Sequence, residues 1–345
     1  MSESTPPVRA AEAVRLTALA DGFLTTQLLY VAVRLRLADV LADGPRSAVA
    51  VASAVGGSPG VIRRVLRGLC LDDVFVERGD GLFGLGTLGE LLRDGVPGSQ
   101  RGPILARGEI YYAAAAGLLA AATDGASAFE AAYGQPFFAH LDSAPDHAAV
   151  FQASMAGRAG HEAAAVVAAY DFGGLRRLVD VGAGSGLLTG AALRAAPELT
   201  ATLVDRPAAL SLAREQLSAA GLASRCTFEA GDFFAAVPAG GDGYLLSRVL
   251  HDWDDADAAR ILGVCRAAMA PGARLIVVDA LLPARARDLP AAVRMDLHML
   301  VLLGAAERTE VEMRGLLTAA GFEVRRIVPT GSPTGLAVIE AARRP

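Results

Sequence analysis

Residues Leu178–Gly186, which read LVDVGAGSG, set the architecture of the second half of this chain. An apolar, strand-like run contains Asp180, and glycines then occupy every second position, at Gly182, Gly184 and Gly186. Glycine permits a tight turn and leaves no side chain between the main chain and a ligand. Helix-like sequence, LLTGAALRAA, follows at once. The order strand, glycine turn, helix predicts a nucleotide site at the carboxyl edge of an α/β sheet.

Four more strand-like runs follow the glycine turn, and polar or aromatic residues lie at the end of each. The runs are LTATLVDRP with Asp205, CTFEAGDFF with Asp232 and Phe233, GYLLSRVLHDWDD with His251, and ARLIVVDALLP with Asp279. Helical segments separate them, which implies a mainly parallel sheet with helices on both faces. The second half of the chain is therefore predicted to be a Rossmann-like, doubly wound α/β domain.

The spacing of the glycine turn discriminates between nucleotide ligands. A dinucleotide fingerprint is GxGxxG, with its third glycine three positions after the second. Here the spacing is D-x-G-x-G-x-G, and position 187 is leucine. Asp180 would repel a pyrophosphate but could accept a hydrogen bond from an ammonium group. Asp205 lies 19 residues after Gly186 (205 − 186), where this fold places the acid that binds ribose hydroxyls. These features favour S-adenosylmethionine, an aminoacyl nucleoside without phosphates.

The first part of the chain, residues 1–100, is predicted to form a mostly helical domain. Residues 11–42 carry apolar positions at helical spacing over more than one face, which indicates either a second chain packing there or a helix buried in its own domain. Two helical segments, SAVAVASAV and SPGVIRRVLRGLCLDD, precede the hairpin-like VFVERGDGLFGLG. Thr87–Glu90, TLGE, matches a capping box that opens another helix. Helix, helix, hairpin is the layout of a winged helix.

A winged helix also raises the hypothesis of a ligand-responsive DNA-binding regulator. Arg63, Arg64 and Arg67 lie on the presumed recognition helix, but acidic residues follow them closely. The net charge of −5 and the pI near 5.6 argue against a nucleic-acid partner. The regulator is therefore the remote alternative to an enzyme.

Composition places the chain among globular proteins. It has 345 residues, of which 53% are hydrophobic and 20% charged. Its three cysteines have neither metal-ligand nor disulfide spacing, and the N-terminus shows no signal-peptide pattern. The longest apolar runs are too short or too interrupted by charge to span a bilayer. We therefore expect a cytoplasmic protein without a membrane partner.

The chain resembles the small-molecule O-methyltransferases of the plant caffeate/acetylserotonin type, including their bacterial natural-product relatives. The resemblance covers nearly the whole chain. It rests on the N-terminal winged-helix layout and on the motifs YDF, DVGAGSG, LVDRP, GDFF, LHDWDD and AAERTEVEMRGLLTAAGF. It implies a winged-helix dimerisation domain at residues 1–100, a helical linker at 101–170 that contributes to the acceptor pocket, and a catalytic domain at 171–345. It also implies a homodimer formed through the N-terminal domain.

The resemblance assigns roles around the cofactor. The glycine turn would let the methionine part approach the main chain, and Asp205 would hold the ribose. Asp232 would accept from the adenine amine, Phe233 would offer a ring face, and Trp253 would lie beside the cofactor. Ser247 stands where some plant members have lysine. The full set of expected cofactor-binding residues is Asp180, Gly182, Gly184, Gly186, Asp205, Arg206, Gly231, Asp232, Phe233, Ser247 and Trp253.

His251 matches the catalytic base of that family, and Asp279 and Glu307 match the two acids that flank it. A base is needed because a phenol with a pKa near 10 is only about a thousandth ionised at pH 7, a deficit of roughly 4 kcal/mol. A neutral imidazole that takes the proton contributes on the order of 10²–10⁴ in rate. Asp279 is a methylene shorter than the glutamate usual in plant members. No metal is expected, because no cluster of ligands is visible in the sequence.

Residues for the acceptor come from separate segments. Phe151, Met155 and Arg158 share one helix face, which periodicity alone leaves open as plain core or as a binding wall. The resemblance matches Phe151 and Met155 to positions that line the acceptor pocket, and Arg158 to a substrate-contacting histidine of plant members. Asp252, directly after the base, and Met299, Leu302 and Leu303, before the GAAERT turn, are further expected acceptor residues. The predicted function is metal-independent transfer of a methyl group from S-adenosylmethionine to a hydroxyl, phenolic in our hypothesis, of an aromatic or polycyclic natural product. The main alternative is an enzyme of the same fold that has left methyl transfer for hydroxylation, decarboxylation or cyclisation.

Overall fold

The structure is a computed structural model that describes residues 10–125 and 127–344, without the side chains of residues 156–159. The chain forms two compact units. The first contains the chain up to Tyr112 together with Ala144–Gly157, and the second contains Ala113–Ser143 together with Arg158–Pro345. The segment predicted as a linker, residues 101–170, is thus divided between the two units.

Helices make up most of the first unit, whereas strands and helices alternate through the second. The α-helices are α1 Ala10–Ala20, α2 Gly22–Arg34, α3 Leu37–Val40, α4 Ala48–Val55, α5 Pro59–Cys70, α6 Arg101–Ala106, α7 Tyr112–Ala115, α8 Leu118–Asp124, α9 Ala128–Tyr133, α10 Phe137–Ser143, α11 Pro145–Ala169, α12 Leu187–Ala195, α13 Pro207–Ala219, α14 Asp255–Ala268, α15 Pro290–Leu303 and α16 Glu310–Ala319. The strands are β1 Arg46–Ser47, β2 Phe75–Glu77, β3 Leu82–Leu85, β4 Arg177–Val181, β5 Thr200–Asp205, β6 Cys226–Ala230, β7 Gly243–Ser247, β8 Arg274–Leu282, β9 Arg308–Thr309, β10 Phe322–Pro329 and β11 Leu336–Arg343. Short 3₁₀ segments cover Gly89–Leu92, Ala223–Arg225, Leu250–Asp252 and Ala286–Asp288, and a π-helical turn covers Arg107–Tyr111.

The first unit has the helix, helix, hairpin layout expected from the sequence. Helices α4 and α5 precede the β2–β3 hairpin, and β1 pairs with β3 to complete a three-stranded sheet. The buried side chains of α5 pack with Phe75 and Phe83 in a single apolar core. The capping box predicted at Thr87–Glu90 is wrong: the chain there makes only the 3₁₀ segment, with no side-chain cap, because it turns too soon for an α-helix.

Helix α1 leaves its apolar side chains uncovered within the described chain. None of its residues is buried, and Val14, Leu16 and Leu19 are exposed. Exposed apolar side chains grouped on one helix indicate an interaction surface. No single described helix is long and apolar enough to cross a membrane, although two bent helix pairs, α1 with α2 and residues 101–115 with α8, meet the criterion when taken together.

The second unit is built on one sheet with the strand order β10-β11-β8-β7-β4-β5-β6, and β9 pairs with the end of β8. Strands β4 to β8 run parallel, whereas β11 is antiparallel to both β8 and β10. Helices cover both faces, each over its own apolar core. This is the doubly wound α/β arrangement that the alternation of strands and helices predicts.

The strand order places two turns next to each other. The chain leaves β4 toward β5 on one side and reaches β7 on the other, so the order reverses between β4 and β7. In open α/β sheets the crevice at such a reversal binds the ligand. The glycine turn follows β4, and the 3₁₀ segment that contains His251 follows β7. The fold therefore brings the predicted cofactor turn and the predicted base together.

Candidate active site

The glycine turn requires glycine at three positions. Gly182, Gly184 and Gly186 have φ angles of +76°, +55° and +71°, in the left-handed region that other residues rarely adopt. A Cβ on Gly182 would lie 2.7 Å from Cγ2 of Val249, and one on Gly186 would crowd the side chains behind the turn. A Cβ on Gly184 would meet nothing within 4 Å, so the turn borders open space at this residue.

Asp205 at the end of β5 is fixed beside this turn. Its Oδ2 accepts from the Gly184 N–H at 2.8 Å, and its Oδ1 accepts from the Arg206 N–H at 2.7 Å. The Arg206 side chain points elsewhere: it lies 3.4 Å from the Asp142 carboxylate and over the ring of Phe138. The Asp205 carboxylate is thus held against the main chain of the glycine turn.

Asp180, in β4 just before the turn, is buried. It is only 2% exposed, and its Oδ2 accepts a short hydrogen bond from the Thr189 hydroxyl on α12. Burial raises the pKa of the Asp180 carboxyl to about 7. Its Oδ1 is buried and receives no hydrogen bond from the described residues. That oxygen fits the proposed acceptor for an ammonium group, and sequence reasoning missed the Thr189 contact that holds the carboxyl.

Aromatic rings from the turns that follow β6 and β7 form a cluster. The Phe233 ring lies 6.2 Å from the Trp253 ring, and the Phe234 ring lies 4.7 Å from Trp253, both nearly perpendicular to it. Asp232 is exposed and accepts from the Phe234 N–H at 2.9 Å, while the Gly231 N–H donates to the carbonyl of Asp205. Phe234 joins Phe233 and Trp253 in this cluster although the sequence motifs did not single it out.

His251 is buried, at 5% exposure, and both ring nitrogens face carboxylates. Nδ1 lies 2.9 Å from Oε1 of Glu307, and Nε2 lies 3.3 Å from Oδ1 of Asp252. Burial lowers the pKa of His251, but Asp252, Glu307 and Asp279 outweigh it and raise that pKa to about 9. An ionised Glu307 fixes the ring hydrogen at Nδ1, so Nε2 is the nitrogen that can take a proton.

Asp279 does not bond to His251 in the way that the resemblance implies. It is fully buried on β8, and neither carboxyl oxygen receives a hydrogen bond from any residue in the described ranges. The second carboxylate beside the imidazole, after Glu307, is Asp252. Burial raises the pKa of Asp279 to about 7. Asp279 therefore acts on His251 only through its charge.

Asp279→Asn should change how stability depends on pH. An unfolded aspartate titrates near a pKa of about 3.9, whereas the folded Asp279 titrates near 7. Between these values the folded state holds a proton that the unfolded state has released, so this group's contribution to stability is lost as pH rises. We expect the unfolding midpoint of the variant, relative to wild type, to rise between pH 5 and pH 8. Circular dichroism melts measure this; a constant difference, or the same rise in the exposed control Asp288→Asn, would contradict the assignment.

Two arginines near the base were missed by sequence reasoning. Arg248 pairs with Glu162 of α11 and with Glu307. Arg308 donates from Nη1 to the Leu250 carbonyl at 2.8 Å and from Nη2 to the Trp253 carbonyl at 2.9 Å. Neither arginine stands out in the sequence, apart from the place of Arg308 directly after the family's acid.

The predicted acceptor residues fall into separate parts of the structure. Met299 and Leu302 are buried on α15, Leu303 is half-buried, and α15 packs against the turn that carries His251. Phe151 and Met155 lie one turn apart on the part of α11 that belongs to the first unit, and both are half-buried. Ser247, which was predicted to contact the cofactor rather than the acceptor, is half-buried at the end of β7. The side chain of Arg158 lies outside the described residues.

The site combines groups that fit a nucleoside with a group that can accept a proton. Within residues 10–125 and 127–344, no group of three or more His, Cys, Asp or Glu side chains is arranged to hold a metal ion. The glycine turn, the Asp205 carboxylate and the buried oxygen of Asp180 together fit S-adenosylmethionine. A methyl acceptor bound beside Nε2 of His251 would have a proton acceptor within reach.

Comparison with known proteins agrees with this geometry. A family model for the O-methyltransferase domain matches residues 115–323, and a model for the O-methyltransferase dimerisation domain matches residues 17–94. The chain is 41% identical over 326 residues to the phenazine O-methyltransferase of Lysobacter antibioticus, covering 94% of this chain and 95% of that protein. Some similar proteins are instead named N-methyltransferases.

Solved structures show the same fold. The mitomycin 7-O-methyltransferase superposes with a TM-score of 0.92 at 36% identity, covering 98% of this chain and 100% of that one. An O-methyltransferase of neocarzinostatin biosynthesis, in complex with S-adenosylmethionine and 2-hydroxy-5-methyl naphthoic acid, has a TM-score of 0.82 at 34% identity, covering 92% of this chain and 96% of that one.

Fold and site thus define an enzyme that uses S-adenosylmethionine, which confirms the cofactor predicted from the glycine spacing. More narrowly, the chain belongs to the family of S-adenosylmethionine-dependent O-methyltransferases with an N-terminal dimerisation domain, whose bacterial members serve antibiotic and other secondary-metabolite biosynthesis.

Proposed function

We propose that this enzyme methylates a phenolic hydroxyl of an aromatic or polycyclic natural product, with His251 as the general base. The observation that carries the proposal is the buried His251–Glu307 pair at the carboxyl end of β7, beside the glycine turn. The names of the relatives, which include enzymes acting on phenazines, naphthoates and aminohydroxybenzoates, support an aromatic acceptor.

S-adenosylmethionine, when bound, supplies an electrophilic methyl group on a sulfonium. Nε2 of His251 takes the phenolic proton as the acceptor oxygen forms its bond to that methyl and the carbon–sulfur bond breaks. The products are the methyl ether, S-adenosylhomocysteine and an imidazolium whose Nδ1–H stays bonded to Glu307. A pKa of about 9 would leave the ring protonated at neutral pH. The positive sulfonium lowers the pKa of a nearby imidazole and so favours the neutral base.

We also propose roles for the remaining site residues. Met299, Leu302 and Leu303 would form a wall for the acceptor, with Phe151, Met155 and Arg158 contributing from α11, and Asp252 would contact both acceptor and base. The dimerisation domain and the uncovered apolar residues of α1 support a homodimer. A cytoplasmic location and the absence of nucleic-acid and membrane partners remain predictions from composition.

The test is incubation of the full-length enzyme with methyl-labelled S-adenosylmethionine and matched acceptors that carry hydroxyl, amino or methoxy groups on the same aromatic ring. We expect label in a methyl ether of the hydroxyl acceptor and one S-adenosylhomocysteine per product. Label only on the amine would show N-methylation instead. Product formed without label, or without consumption of cofactor, would show that the enzyme has left methyl transfer and would overturn the proposal.

A further inference from the structure

Arg248 begins the turn that carries the base and has an unusual backbone. It is the first residue after β7, with a φ of +56°, in the left-handed region that is costly for an arginine. Its N–H still donates to the carbonyl of Val278 at 2.9 Å, so the sheet register is kept up to this residue. Strained backbone of this kind persists where the surrounding contacts over-determine it, and it clusters at functional sites.

Two carboxylates hold the side chain of Arg248 in place. Nη2 donates to Oε1 of Glu162 at 2.6 Å and Nε donates to Oε2 at 3.3 Å, so the guanidinium forks onto one carboxylate of α11. Nη1 donates to Oε1 of Glu307 at 3.3 Å. The side chains of Arg248 and Glu162 are each 13% exposed and that of Glu307 is 0% exposed. Three charges are therefore held together away from water, where their interaction is strong.

One oxygen of Glu307 serves two donors. Oε1 accepts from Nη1 of Arg248 and also lies 2.9 Å from Nδ1 of His251. A carboxylate that is partly neutralised by a guanidinium attracts an imidazolium less strongly than one that is not. The charge on Arg248 is therefore transmitted to the base through a shared atom.

The carboxylates around His251 have the opposite effect to Arg248, because they stabilise the protonated imidazole. Asp252 on the same turn, Asp279 on β8 and Glu307 before β9 favour the protonated ring. Asp296 of α15 accepts from the Glu307 N–H at 2.9 Å and adds a further carboxyl behind Glu307. Two arginines oppose these carboxylates: Arg248, whose place Glu162 fixes, and Arg308, which donates to the carbonyls of Leu250 and Trp253. Of the two, only Arg248 shares the Glu307 oxygen that His251 binds.

We propose that Arg248 is a positioning residue for the base: held by Glu162, it shares the Glu307 oxygen that His251 binds and thereby loosens the hold of the imidazole on its proton. The proposal rests on the function proposed above in so far as His251 is the base. Glu162 acts in the opposite sense, because its charge partly cancels that of Arg248.

Two substitutions should shift the proton affinity of His251 in opposite directions. Arg248→Met removes the cation at similar length and is expected to raise the pKa of His251 by about 1, in line with loss of a nearby positive charge. Glu162→Gln leaves the charge of Arg248 uncompensated and should lower that pKa. General damage to the fold would not shift the pKa of His251 in opposite directions in the two variants.

The measurement is a titration of the full-length, isotope-labelled enzyme by histidine-ring NMR, with the His251 signal among the five histidines assigned from His251→Gln. The control is Arg314→Met, which breaks the exposed pair with Glu310 and should leave the pKa of His251 unchanged. In parallel, the acid limb of kcat/KM should move to higher pH in Arg248→Met and to lower pH in Glu162→Gln.

No shift, or shifts in the same direction, would overturn the inference. If Arg248→Met does not fold, Glu162→Gln decides alone: a lower pKa supports the inference and an unchanged or higher one refutes it. The NMR readout does not depend on turnover. If the pKa of His251 shifts in opposite directions in the two variants but the acid limb of kcat/KM does not move, His251 is not the base. The effect of Arg248 on His251 would then still stand.

Discussion

Replacing His251 with alanine is expected to lower kcat for methyl transfer by about a hundredfold or more, while the Kd for S-adenosylmethionine changes by no more than a few-fold. The imidazole is placed to take a proton, whereas the glycine turn and Asp205 that are proposed to bind the cofactor make no hydrogen bond to it in the described structure. Turnover measured with saturating cofactor, and binding measured by calorimetry, separate the two effects.

The pH dependence sharpens this expectation. Without the imidazole, the reaction depends on the small ionised fraction of the phenol, so the residual rate of His251→Ala should rise about tenfold per pH unit below the phenol pKa. Arg314→Met removes an exposed side chain from α16 and serves as the control with near-normal turnover. Full activity in His251→Ala would remove the base from the mechanism.

Arg308→Met is expected to have the second largest effect, a loss of kcat of about ten- to a hundredfold together with lower stability. One buried guanidinium donates to the carbonyls of Leu250 and Trp253, on either side of His251, and to the Asp255 carboxylate at 2.9 Å. Hydrogen bonds to a charged group are worth about 1.5–3 kcal/mol each, and the loss leaves two carbonyls without their donor. The turn that sets the position of the imidazole would lose its main support.

A double-mutant cycle tells a positioning role from general damage. If Arg308 acts through His251, then Arg308→Met should lower kcat much less in the His251→Ala background than in wild type. Arg308→Lys keeps the charge but cannot fork onto both carbonyls, so it should restore stability more than kcat. Fully additive losses in the cycle would contradict the role assigned to Arg308.

Features set by local spacing could be predicted from the sequence, and features made by distant residues could not. The glycine turn and Asp205 are predictable because strand, turn and helix follow one another along the chain. The contact between Arg248 and Glu162 joins residues 86 positions apart and leaves no local pattern. It exists only because the fold packs α11 near the end of β7.

One expectation from the sequence failed, and one hydrogen bond that the resemblance suggests is not made. The TLGE motif has the residues of a capping box, but the chain folds there into a short 3₁₀ turn. Asp279 stands where the family acid is expected, yet its short side chain makes no hydrogen bond to His251 or to any other described residue. In each case the residue type matched the motif, but the backbone path or the length of the side chain did not match.

The close approach of Gly182 and Val249 has a consequence for altering this enzyme by directed evolution. A Cβ at position 182 would stand 2.7 Å from a methyl of Val249, which precedes the base by two residues. Most variants in a library that changes position 182 alone are therefore expected to have a distorted site. If position 249 is first changed to a smaller residue, a side chain at position 182 has space. The positive φ at 182 still restricts the choice there. The glycine turn and the turn that carries His251 therefore evolve together: a substitution at position 182 is accessible only after one at position 249.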